Sequence, residues 1–387
     1  MKRAVLFSVG AALCAAPLIM PVSLQAATAT ATPKAEPKAA TKAATKAGPY
    51  KVPRNMYGQP DLGETWSNAT LTPEARPAAL ADRAVYTPQE VARLEGAVVT
   101  EIEVGNRSVD PNAPPPTKGG DKLPEGTRPE FAAAGGAVGG YDRGWLDPGS
   151  TVMRVGGQPR TSILTTPNGR PPARKAGAVA AVAPPAPARV APPAGQRPGA
   201  FDNPESRSAG ERCISSFGRN AGPPMLSNGF YNNNYHIVQS RDSIAIETEM
   251  VHDTRIVRLN GKHRTDGIRP YFGDSIGHWE GDTLVVETTN IPQSQAYNGS
   301  WQNLTVTEKF TRVGPTRLLY QYVINDPTLW DAPWGGEYEF TPLNGNVEEY
   351  ACHEGNYALG NMLAGARAEE EAAAKSAAAP ATAPAAR

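Results

Sequence analysis

The chain has 387 residues, and its 38 basic and 38 acidic side chains leave it with no formal charge at neutral pH. Balanced charge, no basic stripe and no recognisable nucleic-acid motif argue against a polyanion-binding face. No Cys-x-x-Cys pair occurs among the three cysteines, which argues against thiol-redox chemistry.

Lys2 and Arg3 precede a largely apolar run from Ala4 to Met20, and small residues follow at Ala26 and Ala27. This pattern reads as a secretory signal over residues 1–26. Gly10, Pro17 and Pro21 interrupt the run, which is also short for a bilayer span. The expectation is therefore a cleaved signal, no membrane span after cleavage, and a periplasmic or secreted bacterial protein. Leu13 is too bulky to precede a lipoprotein cysteine, so Cys14 leaves with the signal. Cys213 and Cys352 remain, and oxidising surroundings predict a disulfide between them. It would close a loop of about 140 residues, worth up to roughly 4–5 kcal/mol in the chain-entropy model. Two buried free thiols are the alternative.

Residues 27–49 repeat Ala, Lys, Thr and Pro and have almost nothing to bury, so a disordered tether is expected. Residues 50–170 should carry strands, a short helix and Gly/Pro-rich loops that join the main module. Trp66 follows the turn-like Pro60–Thr65 segment as an anchor, and Thr72-Pro73-Glu74 resembles a helix start. Thr87-Pro88-Gln89-Glu90 is a capping box that predicts a helix over about 88–96. Arg160 to Thr166 is a plausible strand, residues 171–200 an Ala/Pro-rich disordered insertion, and 368–387 an acidic, Ala-rich tail that starts as a short helix.

Residues 201–367 form the main module. Ser243 to Val251 reads as a strand, and hairpins follow it. Arg255–Leu259 runs into Asn260-Gly261, Ser275–Trp279 meets Thr283–Thr288, Asn303–Val313 meets Arg317–Ile324, and Tyr338–Phe340 meets Val347–Tyr350 across Asn344-Gly345. Hairpins with no helix between them predict a mainly β fold. An antiparallel meander should close into a barrel or strongly curled sheet, which hides its edges.

All five histidines fall in this module. Strand alternation puts Glu308 on the apolar face with Leu304, Val306 and Phe310. A carboxylate there is either a tuned acid/base or the partner of an arginine. Glu249, His252, Asp253 and Arg255 cluster at a strand end, a mixture suited to acid–base work or to pinning a loop. His278 is a further candidate base, and His263 and His353 are candidate ligand contacts. Trp279, Trp330 and Trp334 offer aromatic walls; the loop-like Trp330–Trp334 segment needs cover from the barrel mouth or from a ligand. No His-x-His or His-Glu-x-x-His spacing, Gly-x-Ser-x-Gly elbow or phosphate loop occurs, so neither a metal nor a cofactor is expected.

Several blocks stand together: Tyr231-Asn232-Asn233-Asn234, Glu249 to Arg255, Gly273 to Thr288, and Glu349 to Tyr357. They resemble a large family of uncharacterised, exported bacterial proteins across roughly Gly210 to Arg367, with the Pro60–Trp66 and Arg160–Pro171 segments besides. The resemblance implies export and assigns no catalytic role. Gly63-Glu64-Thr65-Trp66 is similar to the Gly-x-Trp start of lipocalin-like barrels, with one residue more in between. The leading expectation is binding of a small, partly apolar or aromatic molecule within the barrel. A cofactor-independent lyase, isomerase or hydrolase using His252 or His278 with Glu308, Glu249 and Arg255 is the first alternative. A cell-envelope interaction protein, with the Pro/Ala tracts as spacers, is the second.

Overall fold

The computed structural model describes residues 50–105, 147, 149–178, 199–216, 218–227, 231–343 and 345–378. The signal, the 27–49 tether and most of the 171–200 insertion lie outside these residues. The fold is mainly β.

Nine strands close a barrel: β1 (Thr65–Ser67), β4 (Asn234–Gln239), β5 (Ser243–Thr248), β6 (Thr254–Leu259), β7 (Asp274–Glu280), β8 (Thr283–Thr289), β9 (Thr305–Gly314), β10 (Arg317–Asn325) and β11 (Trp334–Pro342). A small ribbon of β2 (Arg154–Val155) and β3 (Gln158–Pro159) lies outside that ring. Among the described residues two α-helices complete the fold, α1 (Pro88–Gly105) and α2 (Tyr357–Ala378). The capping box forms, with the Thr87 and Glu90 backbone N–H groups donating to Glu90 and Thr87 side chains at 2.8 and 3.3 Å. The helix it starts runs to Gly105, past the expected end. Residues 73–77, directly after Thr72, form no helix.

The barrel is as expected, but its meander is not antiparallel throughout. β6 and β7 are parallel, Val257 facing Ser275 and Leu259 facing Gly277. Asn260-Gly261 therefore turns the chain without making a hairpin. Residues 261–273 run back to the other end of β6, where Asp274 ties the crossover down by accepting the Arg264 N–H at 2.7 Å. The hairpins β7/β8 and β9/β10 are in place. Val347–Tyr350 is not a strand; the free edge of β11 is taken by β1 instead. Arg160–Thr166 contributes two isolated bridges, to Val85 and Gly336, rather than a strand. Ser243–Val251 stops as a strand at Thr248 and turns through a 3-10 segment, Met250–His252.

Closure rests on three residues. β1 pairs with β11 on one side and β4 on the other, Trp66 facing Pro342 and Tyr235. Trp66 is fully buried, and its indole N–H donates to Leu62 O at 3.0 Å. A buried indole is a large apolar contribution, and here it anchors a strand too short to hold itself.

The lumen is packed with Tyr235, Phe310, Tyr320, Tyr322, Tyr338 and Phe340. Residues 218–227 reach into it. Met225 and Leu226 join the core, and the Met225 N–H donates to the Tyr320 hydroxyl at 2.8 Å. This segment turns at Gly222, which has φ 67° and is followed by two cis prolyl bonds, Gly222-Pro223 and Pro223-Pro224. A Cβ at Gly222 would stand 2.7 Å from the Pro224 carbonyl carbon, so only glycine fits.

Candidate functional site

The expected Cys213–Cys352 disulfide is formed, 139 residues apart in sequence. It pins residues 345–352 as a strap after β11. The strap stays close to the barrel seam: just before it Leu343 N–H donates to Thr65 O at 3.0 Å, and within it Glu348 N–H donates to Glu249 Oε1 at 3.0 Å. Between strap and barrel lies a groove of about 600 Å³. Its floor is the outward face of one cross-strand row, Thr65 on β1, His236 on β4 and Glu247 on β5. Glu249 and His252 close one end, and Asn346–Tyr350 forms the opposite wall.

Side-chain alternation explains this floor. In β4, Tyr235 and Ile237 point inward, while Asn234 and His236 share the outer face. His236 Nδ1 lies 3.5 Å from Glu247 Oε2. Glu249 is 5% exposed; its second oxygen accepts from Asn234 Nδ2 at 2.7 Å. The turn carrying His252 is strained. Val251 and His252 have φ values of 57° and 44°, consecutive left-handed residues that cost of order 1–3 kcal/mol each. The Thr248 N–H holds the turn shut on Asp253 O at 2.8 Å.

The barrel wall divides the polar cluster that the sequence places together. Glu249 and His252 face the groove. Arg255, the second residue of β6, points inward and forms a two-point ion pair with Glu308, with side chains 2% and 0% exposed. Arg255 Nη2 donates to Glu308 Oε1 at 2.8 Å, Nη1 donates to Oε2, and the Tyr320 hydroxyl donates to Oε1 at 2.8 Å. Burial would lower the Arg255 pKa, but the Glu308 charge outweighs it and raises it. Burial, then the Glu308 charge, pushes Tyr320 well above its ordinary range. Tyr235 and Tyr338 are raised by burial as well. These phenols donate and accept hydrogen bonds as neutral groups. Asp253 is buried separately, accepting from the Ser215 hydroxyl at 2.8 Å and the Ser216 N–H at 2.7 Å.

The other candidates do not converge on either place. His278 sits on the exposed outer face of β7, 3.2 Å from Glu280. His263 lies between Asp274 and Glu287, 3.0 Å from each. His353 is exposed beside the disulfide. Trp279 is half-buried against the core. Trp330 and Trp334 are 3% and 5% exposed, packed edge-on at 5.2 Å with Tyr297 stacked on Trp334. Among the described residues, no group of three or more His, Cys, Asp or Glu side chains is placed to hold a metal ion.

Sequence reasoning missed His236, Glu247, Asn234 and the strap. An alternation signal for the first three was present in Asn234–Gln239 and Ser243–Thr248. Nothing local marks residues 346–350 as a wall of this groove.

No protein-family model matches the chain, and no curated protein matches it. Among solved structures, the chain is similar to a mutant of the fluorescent protein UnaG at 13% identity, over 35% of this chain and 86% of that one. The TM-score is 0.21, so the likeness carries no argument about function. Among the described residues no helix is long and apolar enough to cross a membrane.

Proposed function

We propose that the protein binds a small, partly apolar molecule, and that it does so in the groove beneath the strap. The carrying observation is the groove itself. Its volume of about 600 Å³ falls within the usual range for small-molecule sites. Its floor is strand, and its far wall is fixed by a disulfide, so it is preorganised. His236, Glu247, Glu249 and His252 supply a few polar contacts, and Val347 and Tyr350 supply apolar surface.

The lumen, where the expected site would lie, is a poorer place. Both Glu308 oxygens are engaged, and Met225 and Leu226 occupy space that a ligand would need. Native mass spectrometry of the folded protein, with backbone-amide NMR mapping of any released or added compound, tests the proposal. Shifts centred on Thr65, His236, Glu247 and Val347 support it. Shifts centred on Tyr235 and Tyr320 with a silent groove would move the site to the lumen.

The strained Val251–His252 turn favours one second reading, acid–base chemistry by His252 beside Glu249. A bound compound that is released chemically altered, and is released unaltered by His252→Gln, would support it.

A further inference from the structure

The polar end of the ligand can be assigned from charge, an assignment that rests on the groove being the binding site. Glu249 is 5% exposed, and the groups that hold it are both neutral: the Asn234 amide and the Glu348 backbone N–H. Such donors satisfy a carboxylate's lone pairs without cancelling its charge. Poor solvation then makes that charge act strongly on whatever enters the groove. Glu247, Glu348 and Glu349 line the same groove, opposed by two imidazoles, with no lysine or arginine among its described lining residues.

A second observation is independent of charge. Asn234 is 8% exposed, and its Oδ1 is buried with no donor among the described residues. The amide cannot reverse, because that would set its oxygen against a carboxylate oxygen of Glu249. Asn234 and His236 share the outer face of β4, and Asn234 stands behind Glu249 rather than in the groove's own lining. The amide thus keeps its N–H on Glu249 and fixes that carboxylate at the groove.

We propose that the groove recognises a protonated nitrogen, an ammonium or guanidinium group, on an otherwise apolar small molecule. Its N–H groups reach the Glu249 carboxylate, which lines the groove. A hydroxyl leaves the carboxylate charge unmatched, and a ligand carboxylate is repelled by it.

The test uses four matched probes on the folded, disulfide-bonded protein: benzylamine, benzylguanidine, benzyl alcohol and phenylacetate. Affinity is read from amide shifts of the groove residues. The two cations should bind at least about tenfold tighter than the alcohol, with phenylacetate weakest. Raising ionic strength from about 0.02 M to about 0.5 M should weaken the cations alone. Glu249→Gln should bring the amine to the level of the alcohol. If that variant fails to fold, the salt series on the unaltered protein still separates a charged contact from a neutral one. Equal binding of alcohol and amine, or tighter phenylacetate, at groove residues would overturn the assignment and leave the groove as the site. No groove shift with any of the four would overturn both.

Discussion

Glu308→Gln should be among the most destabilising single changes in the barrel. The side chains of Glu308 and Arg255 are 0% and 2% exposed, so amidation leaves a guanidinium buried with no counter-charge. Its two charge-assisted contacts weaken, and one amide oxygen cannot serve both Arg255 nitrogens and the Tyr320 proton. Removing one member of such a pair costs about 3–5 kcal/mol. At about 2–4 °C per kcal/mol for a domain of this size, melting should fall by roughly 6–20 °C. The double variant Glu308→Leu with Arg255→Met removes both charges and leaves the Tyr320 proton without an acceptor, a loss of only about 1–3 kcal/mol. Urea unfolding of the wild type, Glu308→Leu, Arg255→Met and the double completes the cycle. A coupling near zero, with the double costing the sum of the singles, would refute the view that the pair acts as one neutralised unit. So would Glu308→Gln within about 1 kcal/mol of wild type.

Cys213→Ala with Cys352→Ala should lose about 4–5 kcal/mol of stability and release the strap, measured as unfolding midpoint and groove amide shifts; an unchanged groove would show that the strap's non-covalent contacts hold the wall without the disulfide. Asp274 should give a pH-dependent term. Burial pushes its carboxyl up, but the Arg264 N–H, then His263 and Arg258, outweigh this and hold it below the ordinary range. A depressed folded pKa means stability present in full above the unfolded value and lost as pH falls through the folded one. Asp274→Asn should thus be less stable than wild type at neutral pH, and the gap should close in acid; a constant gap in a pH series of melts would count against it. Gly335→Ala places a Cβ 1.8 Å from Tyr322 O and should open the β10–β11 ladder, at a cost of about 3 kcal/mol or more. Gly360→Ala in α2 meets nothing within 4 Å and should gain up to about 1 kcal/mol; a loss there would place that face against another part of the chain.

Much of the barrel was legible because strands buried on one face declare it by alternation. The β9 run from Thr305 to Gly314 alternates without a slip, and placed Glu308 inside correctly. Asn260-Gly261 misled because a turn dipeptide specifies a reversal of the chain and not the partner of the next strand. The partner was decided by contacts 13 or more residues on, at Asp274 and Gly277. The Glu249–Arg255 cluster misled for a related reason. Neighbours in sequence look like neighbours in space until a wall one residue thick passes between them. The strap was not legible at all. Residues 346–350 have no regular structure, and what places them is a disulfide to a cysteine 139 residues away.

The same one-residue alternation makes the groove and the lumen physically separable. Asn234 and Tyr235 are adjacent in β4, yet Asn234 holds Glu249 on the outside, while the Tyr235 hydroxyl donates inward to Asn220 O at 3.1 Å. Asn220 belongs to the segment that carries Met225 to Tyr320, and through it to the Arg255–Glu308 pair. The disulfide anchors that segment through Cys213 and the strap through Cys352. One covalent bond therefore supports two structures on opposite sides of the wall, a packed interior that holds the barrel rigid and an outer groove that uses this rigidity. Rigid strands give a binding site its precision, because a floor that does not move loses no entropy when a ligand settles on it. On this view the interior ion pair serves binding only by keeping Thr65, His236 and Glu247 in one row. The Glu308→Leu, Arg255→Met double variant should then keep the cation preference of the groove, at a temperature where it is folded. Loss of that preference in a folded double variant would mean that the buried charges reach through the wall, and that the two sides cannot be treated apart.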